Sequence, residues 1–129
     1  YNLTAIRDPE KVITHHLLDS LSVLPYLNGR QCLDVGTGAG LPGMILALAR
    51  PDLQWVLLDS KLKKVRFLQH ILYKLKPSNV EIVRSRIEDY TSIHPFTTII
   101  TRALTNLTDF YHMTQNLRGK NCHLLVLFI

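Results

Sequence analysis

The sequence predicts an α/β fold on a mostly parallel, doubly wound sheet. Short apolar runs alternate with amphipathic segments along the chain. The apolar runs are continuous, as in strands covered on both faces. The first run breaks into a glycine-rich turn and passes directly into a helical segment, the beginning of a strand–loop–helix unit.

Taken in order, Asp8-Pro9-Glu10 is a helix start, because Asp8 can cap and Pro9 fits a first turn that needs no amide hydrogen. Val12, Ile13, Leu17, Leu18, Leu21 and Leu24 then recur at helical spacing, and Asn28-Gly29 closes the segment as a turn. Gln31–Val35 is a strand, residues 36–40 the glycine turn, and Pro42–Ala49 a helix. Pro51-Asp52 turns the chain into a second strand, Trp55–Leu58, which ends at Asp59. Lys61–Leu75 reads as a helix with Leu62, Val65, Leu68, Leu72 and Leu75 on one face. Pro77-Ser78-Asn79 is a turn, Val80–Val83 a third strand and Arg84–Tyr90 a polar link. Thr97–Thr101 is β-branched throughout and predicts a fourth strand. Leu104–Leu117 is expected to be a helix, Arg118–Asn121 a turn and Cys122–Ile129 a fifth strand.

The 129 residues suffice for one domain with a hydrophobic core, residues 1–30 leading into the sheet. At 47% hydrophobic and 19% charged the composition excludes disorder. The longest apolar runs, Met44–Ala49 and Leu124–Ile129, fall far short of the ~20 residues that cross a bilayer. No membrane partner is expected. Cys32 and Cys122 lie in apolar strands and read as reduced core thiols of a cytoplasmic protein. The six histidines lack metal-ligand spacing, so no metal site is expected. A net charge of +5 favours an acidic partner such as RNA. The chain opens at Tyr1 without a methionine and ends inside an apolar run, so it reads as truncated at both ends.

The segment Leu33-Asp34-Val35-Gly36-Thr37-Gly38-Ala39-Gly40 carries most of the chemistry. Glycines allow positive φ and close approach of a ligand to the backbone. A crevice at the carboxyl ends of parallel strands is where open α/β sheets bind ligands. Two nucleotide-type ligands compete for it. Gly38-x-Gly40-x-x-Gly43 matches the dinucleotide fingerprint, with Asp59 on a ribose, and implies a nicotinamide-dependent oxidoreductase. S-adenosyl-L-methionine is favoured by three features. The loop reads G-x-G-x-G from Gly36, Asp34 is placed to face a cationic amino group, and Glu88 follows the third strand, where it can accept from an adenine amine. Asp59 also suits capping of the helix that starts at Lys61.

Continued through Leu41-Pro42-Gly43, this segment resembles the signature of the bacterial small-subunit (16S) ribosomal RNA guanine-N7 methyltransferases, the glucose-inhibited division protein B family. Tyr1–Thr4, Ile6–Pro9, His16–Ser20, Leu58–Ser60, Lys64–Leu68, Ser85–Glu88 and Thr101–Ala103 agree in order and spacing. Thr97 stands where the family usually has Asp, and the family's final β-hairpin is absent. The resemblance implies a Rossmann-like class I S-adenosylmethionine-dependent methyltransferase acting as a monomer on ribosomal RNA or the small ribosomal subunit. It places Gly36, Gly38 and Leu41 on the methionine and ribose side of the cofactor, Asp59 at the ribose, Ile87 and Glu88 at the adenine, and Arg102 at the reactive end as the catalytic candidate.

The chemistry agrees with that resemblance. Thr101-Arg102-Ala103-Leu104 lacks the Asn/Asp-Pro-Pro-aromatic clamp used on exocyclic amines, and neither cysteine is placed as a pyrimidine nucleophile. Guanine N7 has a free lone pair and needs no base. Lys61, Lys63, Lys64, Arg66, Arg84 and Arg86 offer phosphate contacts. A non-catalytic RNA-binding module remains the third possibility.

Overall fold

The computed structural model describes residues 17–102 and 106–127. The expected features at Asp8–Glu10, His16, Ala103–Leu104 and Phe128–Ile129 lie outside that range.

Five strands form one sheet: β1 (Gln31–Val35), β2 (Gln54–Asp59), β3 (Val80–Arg84), β4 (Phe96–Arg102) and β5 (Arg118–Leu127). Their spatial order is β3-β2-β1-β4-β5, and every pair is parallel. Helices α1 (Gly43–Ala49), α2 (Leu62–Leu75) and α3 (Leu107–Met113) connect them. The chain winds outward from β1 to β3, then returns to the other side of β1 as β4. The strand order therefore reverses between β1 and β4, which makes that boundary the switch point where such sheets bind ligands. Val35 pairs with both Leu58 and Thr101, so the carboxyl ends of the three central strands lie level.

Strand pleating sends successive side chains to opposite faces, and the two faces are packed separately. Cys32, Trp55, Leu57 and Ile100 pack with Met44, Leu46 and Ala47 of α1 and Leu68 of α2. Leu33, Leu58, Phe96 and Ile99 pack with Phe110 of α3 and Leu117 on the other side. This two-sided burial explains the unbroken apolar strands in the sequence.

Side chains pin the irregular segments to the sheet. The Thr97 hydroxyl accepts from the Gln31 amide at 3.1 Å and donates to the Gln31 carbonyl at 3.0 Å. The Thr98 hydroxyl does the same with Asn28, at 2.7 and 2.8 Å. Thr97 also fills the space above Gly29, where an added Cβ would come within 2.5 Å of its hydroxyl oxygen. Thr97 thus closes the entry to β1. Buried Asn79 donates from Nδ2 to the carbonyls of Ala47 at 3.0 Å, Leu53 at 2.9 Å and Arg50 at 3.3 Å, tying the end of α1 and the turn after it to the start of β3.

Three boundaries differ from those expected. Residues 17–21 are helical, but a 3-10 turn takes over at Leu24–Tyr26. α3 begins only at Leu107, because the Asn106 side chain caps it by accepting from the amides of Thr108 and Asp109 at 2.9 and 3.2 Å. Residues 118–121, expected as a turn, belong to β5. Phe96 pairs with Arg118 and Thr98 with His123, so a bulge with Asn121 at φ +58° absorbs the surplus residues.

Candidate functional site

The loop that follows β1 is held from below and from the side. Gly36 and Gly38 adopt φ of +69° and +59°, a region that side-chain-bearing residues rarely enter. The amides of Gly36 and Thr37 both donate to the Leu58 carbonyl, at 2.8 and 3.0 Å, tying the turn to the end of β2. A Cβ built on either Gly36 or Gly38 meets nothing within 4 Å, so the loop backbone fronts open space.

That space is a cavity of about 560 Å³ over the carboxyl ends of β1, β2, β3 and β4. Gly36 and Gly38 line it from the loop, Asp59 from β2, Ile87 and Glu88 from the turn after β3, and Arg102 from β4. Six of the seven residues expected at the cofactor therefore share one cavity; Leu41, just beyond the loop, stands outside its lining.

Asp59 is the joint of the site. Its Oδ2 accepts from the Gly38 amide at 2.9 Å and its Oδ1 from the Lys61 amide at 2.9 Å. One carboxylate thus fixes the loop and the approach to α2 while lining the cavity. Its backbone carbonyl accepts from the Ser85 amide at 3.1 Å, which brings the segment after β3 alongside.

Asp34 behaves otherwise than expected. Instead of facing the cavity, it is wholly buried on the α1 side of the sheet, the face of its i−2 neighbour Cys32. Its Oδ2 accepts from the Thr37 hydroxyl and from the Gly43 amide, each at 2.8 Å, while Oδ1 has no hydrogen-bond partner. Burial pushes its pKa up to about 7, opposed by the Thr37 and Gly43 hydrogen bonds and by the positive charge of Arg102. The carboxylate expected to bind a ligand's cation instead props the loop from within.

Sequence reasoning missed several wall residues. Val35, Leu58, Ser60 and Ser85 also line the cavity, and each sits beside a strand-end residue that was foreseen. Lys61, Lys64 and Arg86, expected on an outer basic surface, line it as well. The cavity thus combines two carboxylates, at Asp59 and Glu88, with a cationic rim. Such an arrangement can hold a nucleoside through its hydroxyl and amine groups and meet a polyanion at its mouth. Among the described residues no group of three or more His, Cys, Asp or Glu is arranged to hold a metal ion. No helix among them is long and apolar enough to cross a membrane.

Comparison with known proteins bears on this cavity. The sequence model of the GidB family, described as rRNA small subunit methyltransferase G, matches residues 1–127. A protein of Legionella pneumophila named ribosomal RNA small subunit methyltransferase G is 50% identical over 117 residues, covering 91% of this chain and 56% of the relative. An Escherichia coli O1:K1 protein of the same name is 46% identical over 120 residues, covering 93% and 58%. The chain spans somewhat more than half the length of these relatives. Among solved structures, coclaurine N-methyltransferase bound to N-methylheliamine and SAH aligns with TM-score 0.71 at 16% identity, covering 84% of this chain and 34% of that one. A SAM-dependent methyltransferase from Thiobacillus denitrificans in complex with S-adenosyl-L-homocysteine aligns with TM-score 0.66 at 14% identity, covering 92% and 48%. At these identities the structures establish the fold, a Rossmann-like class I arrangement.

Proposed function

The chain belongs to the GidB family, rRNA small subunit methyltransferase G, and we propose that it transfers a methyl group from S-adenosyl-L-methionine to N7 of a guanine in small-subunit ribosomal RNA, as a cytoplasmic monomer. The observation that carries the proposal is the single cavity at the switch point, walled by Gly36, Gly38, Asp59, Ile87, Glu88 and Arg102. The names of the relatives and the S-adenosylhomocysteine complexes of proteins sharing the fold support the same donor.

The residues fit that donor. The open space above Gly36 and Gly38 is what close approach of a ligand to the loop backbone requires. Asp59 would accept from ribose hydroxyls, and its Gly38 and Lys61 bonds hold the carboxylate ready for that role. Glu88 would accept from the adenine amine, with Ile87 against the ring. Gly36 would flank the methionine portion. The bound cofactor supplies a methyl group on a positively charged sulfur, open to in-line attack.

What remains for the protein is alignment. Guanine N7 carries its lone pair in the ring plane and loses no proton on attack, and the cavity lining contains neither histidine nor cysteine. Correct orientation is worth roughly 7–11 kcal/mol in such a step. Arg102, at the carboxyl end of β4, would orient the base or a neighbouring phosphate through the paired donors of its guanidinium.

Calorimetry with S-adenosylhomocysteine and with NAD tests the reading. Binding of the first and not the second is expected, followed by mapping of the transferred methyl to guanine N7 in small-subunit ribosomal RNA. Binding of NAD alone would return the chain to the oxidoreductases. Cofactor binding in the full-length protein with methyl transfer to neither ribosomal RNA nor the small ribosomal subunit would favour a non-catalytic module.

A further inference from the structure

Helix α2 carries a second feature, of which the cofactor cavity takes only Lys61 and Lys64. From Ser60 through Asn79 there is no acidic residue, while Lys61, Lys63, Lys64, Arg66, Lys74 and Lys76 are cationic. All six are exposed. Lys63, Phe67, His70 and Lys74 follow helical spacing and share one face, with Arg66 and Tyr73 beside them. Two aromatic rings are left in solvent on this face, Phe67 at 47% and Tyr73 at 76% exposure. The Lys76 ammonium lies 5.9 Å from the centre of the Tyr73 ring. The opposite side of the helix packs inward, with Val65 and Leu68 buried.

We propose that this outward face of α2 is the docking track for the RNA substrate, leading a strand to the cavity at the helix N-terminus. The proposal rests on the methyltransferase reading above and assigns that enzyme's partner to a surface. Charge complementarity commits the occupant. A stretch of six cations without one acid fits a phosphate backbone, and aromatic rings set between cations provide stacking surfaces for unpaired bases. A membrane is a poorer occupant, because the exposed rings of Phe67 and Tyr73 stand among Lys63, Arg66 and Lys74 instead of on a separate apolar face. The geometry also connects the two sites: Lys61 and Lys64, at the start of the same helix, line the cavity. The 14 residues of α2 span about 21 Å at 1.5 Å per residue, roughly six steps of a stacked strand at 3.4 Å each.

The test uses two variants of the whole chain, both confined to residues outside the cavity: Lys63→Glu/Arg66→Glu/Lys74→Glu and Phe67→Ala/Tyr73→Ala. Affinity for a fragment of small-subunit ribosomal RNA is read by fluorescence anisotropy between about 50 and 200 mM salt, and S-adenosylhomocysteine affinity by calorimetry. The triple charge reversal is expected to weaken RNA binding at least tenfold and to reduce the salt slope by about two, since each lost phosphate contact to a single strand removes ~0.7. The aromatic variant is expected to weaken binding at least fivefold with an unchanged slope. Both should bind S-adenosylhomocysteine like the wild type. If the reversal disturbs folding, Lys63→Gln/Arg66→Gln/Lys74→Gln is measured in its place. Wild-type RNA affinity and slope in a variant that keeps its cofactor affinity would overturn the track. So would loss of binding to phosphatidylserine vesicles with RNA binding intact. A wild-type chain that binds RNA along this face but never S-adenosylhomocysteine would sink the methyltransferase reading and leave the track standing.

Discussion

The Gly43 amide donates to Asp34 Oδ2 at 2.8 Å, and a Cβ built on Gly43 would lie 2.6 Å from that same oxygen. The first residue of α1 therefore presses its backbone against a buried carboxylate, and only a glycine leaves room for the bond. The hydrogen bond and the missing side chain are one device for seating the helix on β1.

Gly43→Ala should break that seat. The new methyl would also come within 2.4 Å of a Leu57 methyl, so the backbone of α1 must shift. Overpacking of this kind costs about 1–3 kcal/mol. A lowered urea midpoint, with weaker S-adenosylhomocysteine binding as the loop moves, is the expected outcome. A midpoint equal to the wild type's would mean that the helix slides freely.

Asp34→Asn addresses the charge without changing the shape. Burial raises the carboxyl from its ordinary value of 3.8 to about 7. The native state then holds a proton that the unfolded chain has released, and stability falls as pH rises through that window. Below 3.8 both states are protonated and the group adds nothing; above about 7 its full penalty applies. The difference in unfolding free energy, variant minus wild type, should climb across the window and then level off. Denaturation curves at a series of pH values check this, and parallel profiles would rule it out.

Asn79→Ala should destabilise the fold without touching the cavity. The carbonyls of Ala47 and Leu53 lose their buried donor together, while that of Arg50 keeps the Leu53 amide. Leaving buried acceptors unsatisfied costs about 1–3 kcal/mol. Thermal unfolding should move down while S-adenosylhomocysteine affinity at low temperature stays near that of the wild type.

Asn79 also marks a limit of sequence reading. In sequence it sits in Pro77-Ser78-Asn79, where a turn explains it fully; its work on the distant end of α1 depends on packing that no local pattern encodes. Asp34 is the converse case. Its place at a strand end was legible, and its direction was not, because pleating assigns it to the face of Cys32 while the loop turns toward the cavity. The strands and the residues at their carboxyl ends were legible because parallel pairing brings every such end to one edge. That is why Gly36, Asp59, Glu88 and Arg102, far apart in sequence, share a cavity. Position 118 was misread because Arg118-Gly119-Lys120-Asn121 has turn composition, and the bulge that carries it within β5 forms only by pairing with β4.

Asp59→Ala should loosen the loop and the ligand together. It strips acceptors from the Gly38 and Lys61 amides and removes the ribose contact assigned to this carboxylate. Hydrogen bonds to charged groups contribute about 1.5–3 kcal/mol each. S-adenosylhomocysteine affinity should fall at least tenfold in calorimetry. Asp59→Asn, which keeps one carbonyl acceptor, should fall between that variant and the wild type.

Arg102→Ala separates chemistry from binding. Arg102 lines the cavity at the end of β4, opposite the strand that carries Asp59, and its charge lowers the Asp34 pKa. If its guanidinium orients the base, single-turnover methyl transfer should drop roughly 100-fold, the scale on which small misplacements act. S-adenosylhomocysteine affinity should change little. Arg102→Lys should recover only part of the rate, because an ammonium restores the charge without the paired, planar donors. Both variants can be checked for a local and intact fold through Asp34. Removing the positive charge should push the Asp34 pKa higher still, so the pH window over which stability falls should extend upward in the Ala variant and not in the Lys variant. An unchanged single-turnover rate in Arg102→Ala, together with that upward extension, would leave Arg102 an electrostatic partner of Asp34 and nothing more.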